Sequence, residues 1–207
     1  MTSAAAAPAA ARPGPGRPPT GARDRIAEAA LELLKSDGYS GLTTAKVAAR
    51  AGQNKALISY HFGGKQGLVA EVAGQVAAQI TDATRAAIAD VGDVEQLARA
   101  IVEAIFEIMD TDEGVQRVYF DLTSQAVVDP EIGRIMGEMK ARFREVLRER
   151  LSALGVGPDP ARIEAAAVFL IAGVEGLALE RLERGESPEL AGARELWVGS
   201  VRSALGV

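Results

Sequence analysis

Between Asp37 and Glu71 the sequence contains no acidic residue, yet it places Lys46, Arg50, Lys55, Tyr60, His61 and Lys65 in that interval. Cationic and hydroxyl side chains at this density, with no carboxylate among them, form a donor surface for anionic oxygens such as those of a polyphosphate. The same residues do not add up to a catalyst. The chain has no cysteine, which excludes disulfides, thiolate zinc sites and cysteine nucleophiles, and fits a reducing compartment. His61 is the only histidine, so a Ser/His/Asp triad or a multi-histidine metal site must use it or do without. No glycine-rich phosphate loop follows a strand, and carboxylates such as Glu175 and Glu180 have no partner base in the pattern. No catalytic residue, metal or cofactor is therefore expected.

The elements that position the donors read as short helices. From Arg23 to Ser36 the apolar residues Ile26, Ala29, Ala30, Leu33 and Leu34 follow the i, i+3, i+4, i+7 stripe of an amphipathic helix, which Gly38 stops. Thr43 is placed to cap a helix over Thr44–Ala51. Gly52 supplies the freedom for a tight turn, Asn54 is the next cap, and Lys55 to Phe62 form a third helix. Ile58 and Phe62, four residues apart, anchor that helix on Ile26, Leu33 and Leu34. Asn54, Lys55, Ala56, Ser59 and Tyr60 are left pointing outward. A short exposed helix with a basic start and no acids suits the major groove of DNA.

At this point the segment resembles the DNA-binding domain of the tetracycline-repressor (TetR/AcrR) family. Thr43, Val47, Ala48, Ala51, Gly52, Tyr60, His61, Phe62, Gly63, Lys65 and Leu68 match its spaced pattern over roughly residues 20–70. Two positions depart from it: Gln53 replaces a small apolar residue, and Ser59 often has an aromatic counterpart. The resemblance implies that Lys55, Ala56 and Leu57 lie near base edges, and that Tyr60, His61 and Lys65 meet phosphates. It places Thr44 at a helix N-terminus, where free N–H groups favour a phosphate, with Lys46 adding a charge.

Charge divides the chain in the same way. Residues 1–65 hold nine basic and four acidic residues, a balance of +5, whereas the remainder holds 14 basic and 24 acidic, a balance of −10. Residues 1–19, rich in Ala and Pro, are expected to be a disordered tail, whose Arg12 and Arg17 either form a minor-groove arm or do nothing. This tail lacks the apolar core of a signal peptide, so a cytoplasmic protein is expected. A helix-turn-helix domain is expected over 20–65 and a larger helical domain over 66–207, about nine helices in all, with no strand pattern. Apolar periodicity sets helices at Lys65 to Gly92, Asp93 to Met109, Glu113 to Val128, Pro130 to Leu154, Asp159 to Arg184 and Pro188 to Leu205.

In the second domain the resemblance implies a pocket for a small effector. Phe106, Met109, Met136, Met139 and Phe143 are its candidate apolar lining, and Tyr119, Ser124 and Gln125 its polar groups. With aromatics at only 4%, a cage for a quaternary cation is not expected, and a hydrophobic, neutral or weakly charged molecule is. Ala165 to Leu179 is apolar nearly all round and, interrupted by Glu175, too short to span a bilayer, so no membrane partner is expected. It is either a core helix or half of an interface between two copies. The resemblance implies pairing through the last two helices, with Phe169, Gly173, Gly176, Leu177 and Trp197 at the contact. The expectation is an all-α homodimer that binds a double-stranded DNA operator and leaves it when a ligand changes the spacing of its two heads. An activator or a ligand-independent regulator on the same fold remains open, as does a helical enzyme or binding protein.

Overall fold

The computed structural model describes residues 21–156 and 159–206. The tail 1–19, with Arg12 and Arg17, lies outside them. The described residues form eight helices and no strand: α1 (Ala22–Gly41), α2 (Thr44–Ala51), α3 (Ala56–Phe62), α4 (Lys65–Ala87), α5 (Val94–Gln125), α6 (Pro130–Ala153), α7 (Pro160–Arg184) and α8 (Pro188–Leu205). The all-helical class is as expected. The helix starts follow local chemistry. The side chains of Thr43, Asp93, Asp129, Asp159 and Ser187 each accept a backbone N–H of the turn that they open, and Pro130, Pro160 and Pro188 stand where a missing N–H costs nothing.

Nine helices were expected and eight are found. The helices expected on either side of residue 112 run on as one element, α5, bent at Asp112 (φ −155°, ψ 83°). The Asp112 carboxylate accepts the Gly114 N–H at 3.1 Å, so it recaps the chain as it would at a fresh helix start. A second joint lies in α1 at Gly38 (φ 69°, ψ 179°), a conformation essentially reserved for glycine. α4 stops at Ala87, short of Gly92, because Ile88 turns in to a site where it is 2% exposed.

α1, α2 and α3 build a small head around Ile26, Ala30, Val47 and Ile58, each fully buried. α4 starts in that head, packs on α1 and α3, and continues into a bundle with α5 and α6. The boundary expected at residue 65 thus falls at the first turn of a helix that both parts share. α5 is the centre of the bundle, touching α1, α4, α6, α7 and α8. No helix among the described residues is long and apolar enough to cross a membrane.

Candidate functional site

The head presents the surface that the residue types suggested. Ala56, Ser59 and Tyr60 lie on the outward side of α3 at i, i+3, i+4 spacing, and Tyr60 is 71% exposed. Thr43, Lys46 and Arg50 form a parallel exposed stripe on α2. Arg50 belongs to the acid-free donor set but was not among the expected DNA contacts, although its spacing from Lys46 on one helix would have added it. Gly52 (φ 61°) makes the turn between the two helices, and Gly63 and Gly64 (φ 73° and 135°) release the chain into α4. Thr44 opens α2 just after its cap, Thr43, whose side chain accepts the Lys46 N–H at 3.2 Å. Exposed Lys55 stands at the start of α3, and the Asn54 side chain accepts the Ala56 N–H at 2.8 Å.

Two of the expected DNA contacts have other partners in the structure, and two more turn inward. Lys46 Nζ is 2.8 Å from Asp37, and this ion pair holds the Asp37 carboxyl below its usual range. Lys65 Nζ donates to the Tyr39 carbonyl at 3.2 Å and lies 4.1 Å above the Tyr39 ring. His61 turns Nε2 inward, where it is buried and has no hydrogen-bond partner among the described residues. Leu57 is half-buried against the core of the head.

Tyr39 ties the head to the bundle. Its N–H donates to Asp121 Oδ2 at 2.5 Å, and its hydroxyl lies 3.5 Å from Asp129. Burial pushes the Tyr39 phenol up, and the Asp129 charge adds to this. Beside it, Lys35 of α1 donates to Asp112 at 2.7 Å and to Glu32 at 3.0 Å. Burial lowers the Lys35 pKa, but the two carboxylates outweigh it and the net shift is upward. The stretch of α5 after its bend therefore holds α1 by two carboxylates, Asp112 and Asp121.

The opposite side of that stretch faces a cavity of about 500 Å³, including its open mouth, between α4, α5, α6 and α7. Its apolar wall comes from Ala77, Ile80, Ile105, Phe120, Met139, Phe143, Ile171, Val174 and Ala178, and its polar groups are Thr81, Gln116, Tyr119, Lys140 and Glu175. Of the expected lining, Tyr119, Met139 and Phe143 are there. The others are not. Phe106 is packed between the guanidinium groups of Arg181 and Arg194, whose centres lie 4.7 and 5.0 Å from its ring. Met109 and Met136 are buried in the surrounding core and do not line the cavity. Ser124 is exposed and Gln125 half-buried in the last turn of α5, beyond the cavity's end. Lys140 and Glu175 form an ion pair at 2.9 Å, and the Tyr119 hydroxyl donates to the same Glu175 oxygen. Burial pushes the Tyr119 phenol strongly up, reinforced by the Glu175 charge. Glu175, which interrupts the apolar run of α7, was the visible signal for this cluster; its partners lie 56 and 35 residues away in sequence.

The α7–α8 surface also differs in detail from expectation. Leu177 is 9% exposed and faces the chain's own core, and Phe169 is half-buried. Gly173 receives the Trp197 indole of α8, leaving no room for a side chain, so this glycine serves packing within one chain. The outward stripe of α7 is Ala165, Val168, Ala172, Gly176 and Leu179, at the 3- and 4-residue intervals of one helix face. Val168 and Leu179 are 48% and 41% exposed there, and Leu196 of α8 is 78% exposed.

Comparison with known proteins places both parts. The family model for bacterial regulatory proteins of the tetR family matches residues 26–72, and that for the C-terminal domain of BetI-type transcriptional repressors matches residues 94–206. The HTH-type transcriptional regulator BetI of Cronobacter sakazakii is 27% identical over 88% of this chain and 90% of its own. That of Burkholderia thailandensis is 30% identical over 75% and 78%. A transcriptional regulator of Pseudomonas aeruginosa PAO1 superimposes with a TM-score of 0.74 at 26% identity, over 89% of this chain and 90% of that one.

Proposed function

Because the chain belongs to the TetR family of bacterial regulatory proteins it is a DNA-binding transcriptional regulator, and we propose that it works in the cytoplasm as a homodimeric repressor released from its operator by a small, largely hydrophobic ligand. One observation carries this reading. Within ten residues of α5, Gln116, Tyr119 and Phe120 line the cavity while Asp112 and Asp121 grip α1 of the DNA-binding head. A ligand that displaces the first set moves a helix to which the head is attached. Its effect on operator affinity equals its difference in affinity for the two positions of the head, and full reversal needs about 5.5 kcal/mol.

In this reading Lys55, Ala56, Ser59 and Tyr60 of α3 face base edges and backbone in the groove, and Thr44, Lys46 and Arg50 of α2 face phosphates. Lys65 reaches a phosphate only by leaving Tyr39. The stripes of α7 and α8 around Val168, Leu179 and Leu196 pair with those of a second copy about a two-fold axis, which sets the two heads one helical turn apart on the operator. Three of the chain's nine aromatic residues meet at the cavity, but its single carboxylate is taken by Lys140 and Tyr119, which supports a neutral ligand over a cationic one.

The test is selection of operators from random duplexes with the full chain, followed by a screen for compounds that release them. Met139→Trp fills the cavity without touching the head. It is expected to keep operator affinity and lose release. Failure to select any preferred sequence overturns the DNA reading, and release that survives in Met139→Trp overturns the site.

A further inference from the structure

We propose that the effector carries an amide-type group, with an N–H and a C=O side by side as in a lactam or carboxamide, and that Gln116 reads it. This rests on the cavity reading above and names the chemistry of its ligand. Gln116 is 3% exposed, and the little of its surface that stays accessible is where it lines the cavity; its amide is not among the fully buried polar atoms left without a partner among the described residues. An amide that opens only onto a cavity finds its hydrogen-bond partners in whatever fills that cavity. Here the amide lines the cavity between α4, α5, α6 and α7. Thr81, 8% exposed, lines the same cavity from α4.

The charges around it point the same way. Lys140 and Glu175 are paired at 2.9 Å, and Tyr119 spends its proton on Glu175. The Lys140–Glu175 pair is already balanced in charge, so an anionic or a cationic ligand brings in a net charge that has no counter-charge of its own there. In a partly buried setting such an uncompensated charge is costly. A neutral ligand leaves the cluster intact and meets Gln116, which offers one acceptor and two donors in a plane. A cis lactam presents the complementary acceptor and donor, so two parallel hydrogen bonds form at once. The rest of the wall, with Ile80, Phe120 and Phe143, takes an apolar body.

Three probes of one shape test this: 3,4-dihydroquinolin-2-one, its N-methyl derivative and the hydrocarbon tetralin. Their dissociation constants are measured by ligand-observed NMR titration on the full chain, on Gln116→Met and on Met139→Trp. Methionine keeps the length of glutamine and removes its hydrogen bonds. The wild type is expected to prefer the lactam to its N-methyl derivative by about ten-fold, the usual consequence of leaving a buried polar group unpaired. Gln116→Met is expected to erase that preference and leave tetralin binding within about two-fold. Equal binding of the two lactams by the wild type, or a preference that survives in Gln116→Met, overturns the role of Gln116. Tetralin binding that Met139→Trp abolishes then keeps the cavity as the site. If no probe binds the wild type, or Met139→Trp binds tetralin normally, the cavity reading falls and this inference with it.

Discussion

Asp37 is expected to restrain DNA binding by occupying Lys46. The two side chains meet at 2.8 Å on the surface, with 35% and 51% of their side-chain areas exposed, and Asp37 is the last acid before the acid-free stretch. A phosphate approaching α2 must compete with that carboxylate. Each phosphate neutralised by a lysine contributes about 0.9 to the slope of log affinity against log salt. Asp37→Asn frees Lys46 and is expected to steepen that slope by up to about 0.9, so its gain over wild type is about 2.7-fold larger at about 100 mM than at about 300 mM salt. Because Lys46 holds the Asp37 carboxyl below its ordinary value of 3.8, the gain is expected to be constant from about pH 5 to 8. Lys46→Ala is expected to cost more in the Asp37→Asn background than in wild type, a coupling that a double-mutant cycle isolates. Fluorescence anisotropy of a labelled duplex across a salt series, with all four proteins, measures each term. A slope in Asp37→Asn equal to or shallower than wild type refutes the reasoning and moves Lys46 off the DNA surface.

Gly38→Ala and Gly137→Ala are expected to shift stability in opposite directions under urea denaturation. Gly38 has a positive φ and a new Cβ would lie 3.1 Å from Asp121 Oδ2, so a loss of about 1–3 kcal/mol is expected; Gly137 is helical with open space around it, so about 0.5–1 kcal/mol is gained. Val168→Arg or Leu179→Arg is expected to shift the sedimentation of the chain toward monomer without unfolding it, whereas Leu177→Arg, facing the core, is expected to destabilise the fold itself; a monomeric wild type at micromolar concentration rules out the pairing face. In an alkaline titration followed at the phenolate band, Tyr119 is expected to ionise last. Its pKa is raised when folded, so its contribution to stability is complete below the ordinary value of 10.0 and fades as pH rises toward the folded value; early ionisation of all three tyrosines refutes its burial against Glu175.

The head was legible because its signals are local. Caps, glycine turns and the stripes of three short helices sit close together in the chain, and each is decided by near neighbours: Thr43 by the turn that it opens, Gly52 by its own φ. The helix ends of the bundle were legible for the same reason, since Asp129, Asp159 and Ser187 with their following prolines announce themselves. The cavity was not legible, because it depends on phase. Helical spacing put Phe106, Met109, Met136 and Met139 on apolar stripes, but a stripe is equally satisfied by core and by cavity. Only Met139 of the four reaches the empty space. The bend at Asp112 decides which residues of α5 face inward after it, and that bend is fixed by Lys35, 77 residues earlier in the chain. Spacing did not separate Gln116 from the other polar residues of its helix for the same reason. A lone glutamine in a helix is ordinarily solvated, and nothing in its neighbours shows that α4, α6 and α7 close over it. The pairing face followed a related logic. An all-apolar α7 says that both sides are covered, not which side its own chain covers, and Trp197, seated on Gly173 from the next helix, assigns that side to the interior. Local chemistry thus identifies a DNA-binding head almost by itself, while the identity of a ligand is written in contacts that only the assembled bundle brings together.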